Sequence, residues 1–312
     1  MAWRPVVALL VVSPFMGEVL STATSPLELL VPWNLLLFVA LYGCGALLCR
    51  EVAYRWRLGL PGLILLGAAY GVFEEALVDR FWFDRSYART AGVGDYSRVW
   101  DVSVLLATHL TAFHAAVSVC ASVLIVTWLF PGDRERPWTR PWTLPVAGAA
   151  MLTVLFVTYD QYVHPPPGPI LAAVAVGVLF VLGAWLSGRP HVVRRSGRPR
   201  SGRPRPRLLG SLAFVCTAAH FVLVYTLPVT GLAWAIGVAG TLVPLLGGFL
   251  AVRRWATTDA LGADGLAVVT GVVGFFVLLD LLVGLGGRYD LSVGALLTAA
   301  GLVWLRRRVG KA

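Results

Sequence analysis

Residues 166–187 read PPGPILAAVAVGVLFVLGAWLS, a stretch with no charged side chain and with its prolines confined to the start. A helix rises 1.5 Å per residue, so about 20 apolar residues cross the roughly 30 Å hydrocarbon layer of a bilayer. The stretch therefore reads as a membrane-spanning helix. Comparable stretches lie at 5–21, 30–49, 58–79, 100–130, 143–162, 208–227, 229–252, 265–287 and 290–305. Of the 312 residues, 58 % are apolar and 13 % charged, whereas soluble domains carry about a quarter charged residues. The expected fold class is all-α, a polytopic transmembrane helix bundle of about ten spans. That composition excludes an ordinary soluble enzyme, a disordered chain and a disulfide scaffold.

Net charge is +10, and Lys311 is the only lysine among 26 basic residues. In a membrane protein such an excess marks the cytoplasmic loops. With an inside N-terminus and alternating spans, 21 of the 26 fall inside and 5 outside. Both termini are thus expected in the cytoplasm, with the chain in the plasma membrane. The run 5–21 also has features of a secretory signal, since Arg4 precedes it and small residues end it. Pro14 and Glu18 interrupt it, which favours a retained span. Residues 188–207 repeat Gly-Arg-Pro and carry eight arginines, a linker suited to the anionic inner leaflet rather than to nucleic acid. It divides the chain into a six-span bundle, 1–187, and a four-span bundle, 208–312. Cys44, Cys49, Cys120 and Cys216 all sit in apolar stretches without a Cys-x-x-Cys pair, so neither a zinc ribbon nor a disulfide framework is indicated. The loop 80–99 mixes Phe81, Trp82, Phe83, Tyr87 and Tyr96 with charges, as an outer interfacial cap would.

Ionisable groups inside a bilayer are expensive and need a reason. Here they are Glu18, Glu74, Glu75, His109, His114, His220 and Asp280, with Asp160 at a helix end and Arg80 and Asp101 flanking the outer loop. In the topology above, nearly all lie in the outer half, which implies one polar cavity open to the outside. Glu74 and Glu75 with His109 and His114 are the candidate catalytic set, because adjacent carboxylates beside imidazole suit general acid and base work on water. His109 and His114 are five residues apart, about 140° around a helix, a poor spacing for joint ligation. No metal ligand set is assigned and no cofactor is identified. A b-type haem between His220 and His109 or His114 is one further arrangement the histidines allow.

Phe73-Glu74-Glu75-Ala76-Leu77-Val78-Asp79-Arg80, followed by a histidine in the next apolar span, resembles the CAAX-protease and bacteriocin-processing type of glutamic intramembrane proteases. The resemblance implies that Glu75 or Glu74 activates water and that His109 or His114 stabilises the oxyanion. Arg80 stands one residue later than in that family, and Leu105 and Leu110 stand where an aromatic precedes its histidine. The leading functional expectation is a membrane-embedded hydrolase or transferase acting on a lipid or lipid-linked substrate. The alternatives are a proton-coupled secondary transporter and a non-catalytic membrane assembly subunit.

Overall fold

A computed structural model describes residues 2–188, 205–257 and 260–309. The chain is helical nearly throughout. Helix α1 covers Trp3–Pro14, and α2 is the short Pro26–Leu29. The next long helices are α3 (Pro32–Arg55) and α4 (Leu60–Val78). After the brief α5 (Arg85–Thr90) and a hairpin of β1 (Arg98–Val99) and β2 (Val102–Ser103) comes α6 (Val104–Leu129). Then follow α7 (Thr143–Val157), α8 (Pro167–Ser187), α9 (Pro206–Thr226), α10 (Trp234–Trp255), α11 (Ala263–Leu285) and α12 (Tyr289–Val309). Proline opens α2, α3, α8 and α9 at the first turn, where its missing N–H would be unpaired anyway. Ser25 and Glu28 add a capping box to α2.

Among the described residues, seven helices are long and apolar enough to cross a membrane: α3, α4, α6, α8, α9, α10 and α11, with α9 extended to Val229. The sequence pattern led us to expect about ten. The other three expected spans are helical but marginal. Helix α1 carries on only to Val19, with Pro14 and Glu18 inside the run. At 15 residues, α7 is roughly 22 Å long. Helix α12 ends in Arg306, Arg307 and Arg308. Much of the linker expected at 188–207 (189–204) falls outside the described residues.

Burial separates centre from periphery. In α4 and α6, 67 % of the apolar window is buried, against 11 % in α8 and 17 % in α10, so the rest of the chain leaves most of the apolar surface of α8 and α10 uncovered. Helix α6 is the hub, packing on α1, α3, α4, α10, α11 and α12. One core cluster joins the two ends of the chain, with Met16, Leu20, Val117 and Ala121 against Val273, Phe276 and Ala295. The approach of α4 to α6 depends on glycine. A Cβ on Gly67 would lie 2.9 Å from the Ala115 Cα, and one on Gly71 would lie 3.0 Å from the His114 Cβ and 3.1 Å from the Thr111 Cα. Small residues permit such backbone contact within a membrane. Gly71→Val is therefore expected to force the helices apart and to destabilise the protein by about 1–3 kcal/mol, measured by unfolding in mild detergent.

The loop 80–99 is built from packed and hydrogen-bonded side chains. Asp84 caps α5 by accepting from the Ser86 and Tyr87 amides at 2.7 and 3.1 Å. Phe81 stacks on Tyr87 with ring centroids 3.9 Å apart, and Trp82 and Phe83 are buried. The hairpin turns through Trp100 and Asp101 with φ of 49° and 62°, a left-handed pair that suits the strand twist. Arg85 holds Asp101 in an ion pair at 2.8 Å.

Candidate functional site

Four π-helical turns interrupt the helices, at Phe15–Val19, Val39–Gly43, Phe73–Val78 and His114–Ala121. Each carries a member of one buried polar cluster: Glu18, Tyr42, the pair Glu74 and Glu75, and His114 with Ser118. A π turn bonds i to i+5 and is common at functional sites. On an ordinary helix, neighbouring side chains point about 100° apart. Within the widened turn, Glu74 and Glu75 both reach the same imidazole.

The His114 ring stands between the two carboxylates. Its Nε2 is 2.7 Å from Glu75 Oε1. Its Nδ1 is 3.0 Å from Ser118 Oγ and 3.0 Å from Glu74 Oε2. The Glu74 contact is within ion-pair distance but is not aligned as a hydrogen bond, for neither Glu74 oxygen has a hydrogen-bond partner, and Glu75 Oε2 has none either. The Tyr70 hydroxyl faces Glu74 without an aligned partner of its own. Tyr42 and Tyr70 wall the imidazole, each with its ring centroid 6.0 Å away. The Glu18 carboxylate lies beside the Tyr42 hydroxyl and accepts from Thr24. All three central residues are sealed: Glu74 is 0 %, His114 2 % and Glu75 4 % exposed. The open outer cavity expected from the sequence is thus closed here. One nitrogen or oxygen from each of Glu74, Glu75 and His114 lies within 4.8 Å of the others, so these three side chains can also hold a metal ion.

The other candidate residues lie elsewhere. His109 does not join the carboxylates. Its Nδ1 is 3.0 Å from Nε2 of His220, whose own Nδ1 is 2.7 Å from the Thr241 carbonyl oxygen. A carbonyl only accepts, so His220 Nδ1 carries the proton; with neutral rings, His109 Nδ1 then donates to His220 Nε2. A haem iron does not fit between these two rings, because ligand nitrogens on opposite sides of one metal stand about 4 Å apart. This pair ties α6 to α9 and α10. His220→Phe should leave the His109 N–H without an acceptor and destabilise by about 1–3 kcal/mol. Turnover should stay within a few-fold, which melting curves and activity measured side by side would check.

Arg80 is buried but turns from the carboxylates. It donates to the carbonyls of Tyr159 and Val163 at 3.1 Å each, contacts His164 Nδ1 at 2.9 Å, and lies over the Tyr159 ring. It fastens the corner between α7 and α8. Asp101 serves the hairpin, and Asp160 is exposed. Asp280 is fully buried, neither of its oxygens has a hydrogen-bond partner, and it is not among the converging ligand atoms. Sequence reasoning missed Tyr42, Tyr70 and Ser118, which read as ordinary components of apolar helices. It also gave no role to Asp79, whose carboxylate meets the Tyr162 hydroxyl. The Tyr162 hydroxyl donates to this carboxylate.

The profile of an uncharacterized membrane protein family matches residues 7–288. No curated protein and no solved structure matches the chain.

Proposed function

The chain belongs to this uncharacterized membrane protein family, and from that premise we propose that it is a membrane-embedded hydrolase or transferase working through Glu75, Glu74 and His114. One observation carries the reading: a sealed imidazole held between two carboxylates, 2.7 Å from Glu75 and 3.0 Å from Glu74. Such a trio exchanges protons among its members without net charge change. It can therefore take a proton from water and return one to a leaving group, the general acid and base work that contributes about 10²–10⁴ in rate. The likeness to the CAAX-protease and bacteriocin-processing type supports the same roles: Glu75 as the base toward water, His114 as donor to the developing oxyanion. His114 takes the histidine role in this proposal, since His109 is engaged with His220. Glu75 and His114 touch in the closed state, so substrate arrival must part them to admit water.

The proposal includes a topology of about ten spans in the plasma membrane with both termini cytoplasmic. Helices at Trp3–Pro14, Thr143–Val157 and Tyr289–Val309 support the count. The arginine distribution, 21 basic residues against 5, supports the orientation. The cluster then lies in the outer half beneath loop 80–99, and the substrate class is a lipid or lipid-linked molecule. The test uses purified protein in lipid vesicles with lipid, lipid-linked and peptide substrates in oxygen-18 water. Products carrying the label with the wild type but not with Glu75→Gln are expected. A product yield no different from Glu75→Gln across the panel would overturn the reading. The enclosure of the acid–histidine trio also fits a proton-coupled transporter, which predicts solute uptake driven by a pH gradient in the same vesicles.

A further inference from the structure

We infer that Glu74, Glu75 and His114 form a binding site for a single divalent transition-metal ion, with zinc or manganese as the fitting class. The inference rests on the reading that this cluster is the working site and revises its roles: with an ion bound, His114 Nε2 would be a ligand, the ion would stabilise the oxyanion, and the unligated Glu75 oxygen would remain the base toward water. Three observations carry it. The donors converge, with one ligand atom from each residue inside a 4.8 Å span. Three of the four carboxylate oxygens, Glu74 Oε1, Glu74 Oε2 and Glu75 Oε2, are buried without a hydrogen-bond partner. Nature rarely leaves buried carboxylate oxygens in that condition unless a proton, water or ion serves them. Finally, the negative charge has no guanidinium to balance it. Arg80 is directed to the α7–α8 corner, Arg50 and Arg55 pair with Glu51, and among the described residues His114 is the sole ion-pair partner of Glu74 and Glu75.

The chemistry of the donors narrows the ion. Imidazole with two carboxylates favours first-row divalent cations over magnesium or calcium, which prefer all-oxygen shells. His114 is already oriented for ligation. Its Nδ1 meets Ser118 Oγ at 3.0 Å, the outer hydrogen bond that metal-bound histidines usually make, and this frees Nε2 for the ion. Ser118 is fixed in turn, its carbonyl accepting from Ser13 at 2.8 Å. An ion about 2.0–2.2 Å from each donor holds them roughly 3.4 Å apart, so Glu75 Oε1 needs to retreat from Nε2 by less than about 1 Å, and Glu74, which lies against Nδ1, needs to turn toward the Nε2 side. Three protein ligands leave a fourth position for water, the arrangement of catalytic rather than structural zinc.

The experiment measures metal in the full-length protein, purified in detergent from medium supplemented with zinc or manganese. Elemental analysis is expected to find one ion per chain in the wild type and in Asp280→Asn, whose carboxylate is buried outside the cluster. It should find a loss of at least about tenfold in Glu74→Gln, Glu75→Gln and His114→Ala. Added zinc or manganese should raise the Tm of the wild type and not of these three variants. X-ray absorption of the loaded protein should show a nitrogen and oxygen shell containing one imidazole. Absence of stoichiometric metal together with a Tm indifferent to both ions overturns the site. Label incorporation that survives exhaustive chelation likewise removes the ion while leaving the hydrolase. Metal bound through these residues without hydrolysis of any substrate sustains the ion site and removes the hydrolase.

Discussion

Glu75→Gln is expected to insert and fold like the wild type and to lose at least about a hundredfold of its turnover. The substitution keeps the shape of the side chain and its bond to His114 Nε2, now through an amide, but removes the group that takes up a proton. Glu75 is 4 % exposed and its second oxygen has no partner, so loss of its charge relieves a buried, poorly compensated anion. Stability should therefore hold or rise while activity falls, a split that a purely structural carboxylate would not produce. Glu74→Gln should lower turnover less, because Glu74 lies against Nδ1, the ring nitrogen that also meets Ser118, and not against Nε2. Equal turnover in wild type and Glu75→Gln, on any substrate that the protein converts, would refute the assignment.

Why was part of this site readable in advance and part not? Glu74 and Glu75 stand out because a charged pair in an apolar stretch is expensive. His114 stands out equally, but so does His109, and nothing in their spacing ranks one above the other. The choice depends on where the helix of α6 changes to a π turn, which begins at His114 itself. Backbone hydrogen bonding over the whole bundle sets that register, and it leaves no mark in composition. The same holds for Tyr42, placed by the π turn Val39–Gly43, and for Ser118. The long apolar helices were legible because hydropathy alone decides them. The marginal ones were expected as well and are helical, but the extent of a helix about 22 Å long such as α7 is set by its neighbours rather than by its own content. Arg80, which follows the Glu-Glu pair in the resembling motif, has a left-handed backbone, φ 56°, and its side chain donates to the Tyr159 carbonyl.

Glu51 makes the second large prediction, and it concerns stability. Its carboxylate is fully buried near the end of α3. It pairs with Arg50 and Arg55 and accepts from the Trp138 amide at 3.0 Å, the Thr139 amide at 3.4 Å and the Thr139 hydroxyl at 2.9 Å. Arg50 in turn lies 3.9 Å over the Trp138 ring and donates to the Arg136 carbonyl at 2.8 Å. The Trp138 carbonyl receives the Ala2 amide at 3.1 Å, so one carboxylate fixes both the 131–142 segment and the start of the chain. Glu51→Ala leaves two guanidiniums, two amides and a hydroxyl without their acceptor, and breaking a buried pair from one side costs about 3–5 kcal/mol. Native proteins have only about 5–15 kcal/mol in hand. The variant should therefore unfold at much lower denaturant or be degraded in cells. Glu51→Gln keeps one acceptor oxygen and should lose about half as much. Arg85→Ala provides the contrast, since its ion pairs with Asp95 and Asp101 are half exposed and such pairs are worth about 0–1 kcal/mol. Denaturation of the three variants in detergent gives the order directly, and a Glu51→Ala protein as stable as Arg85→Ala would show that the carboxylate holds nothing in place.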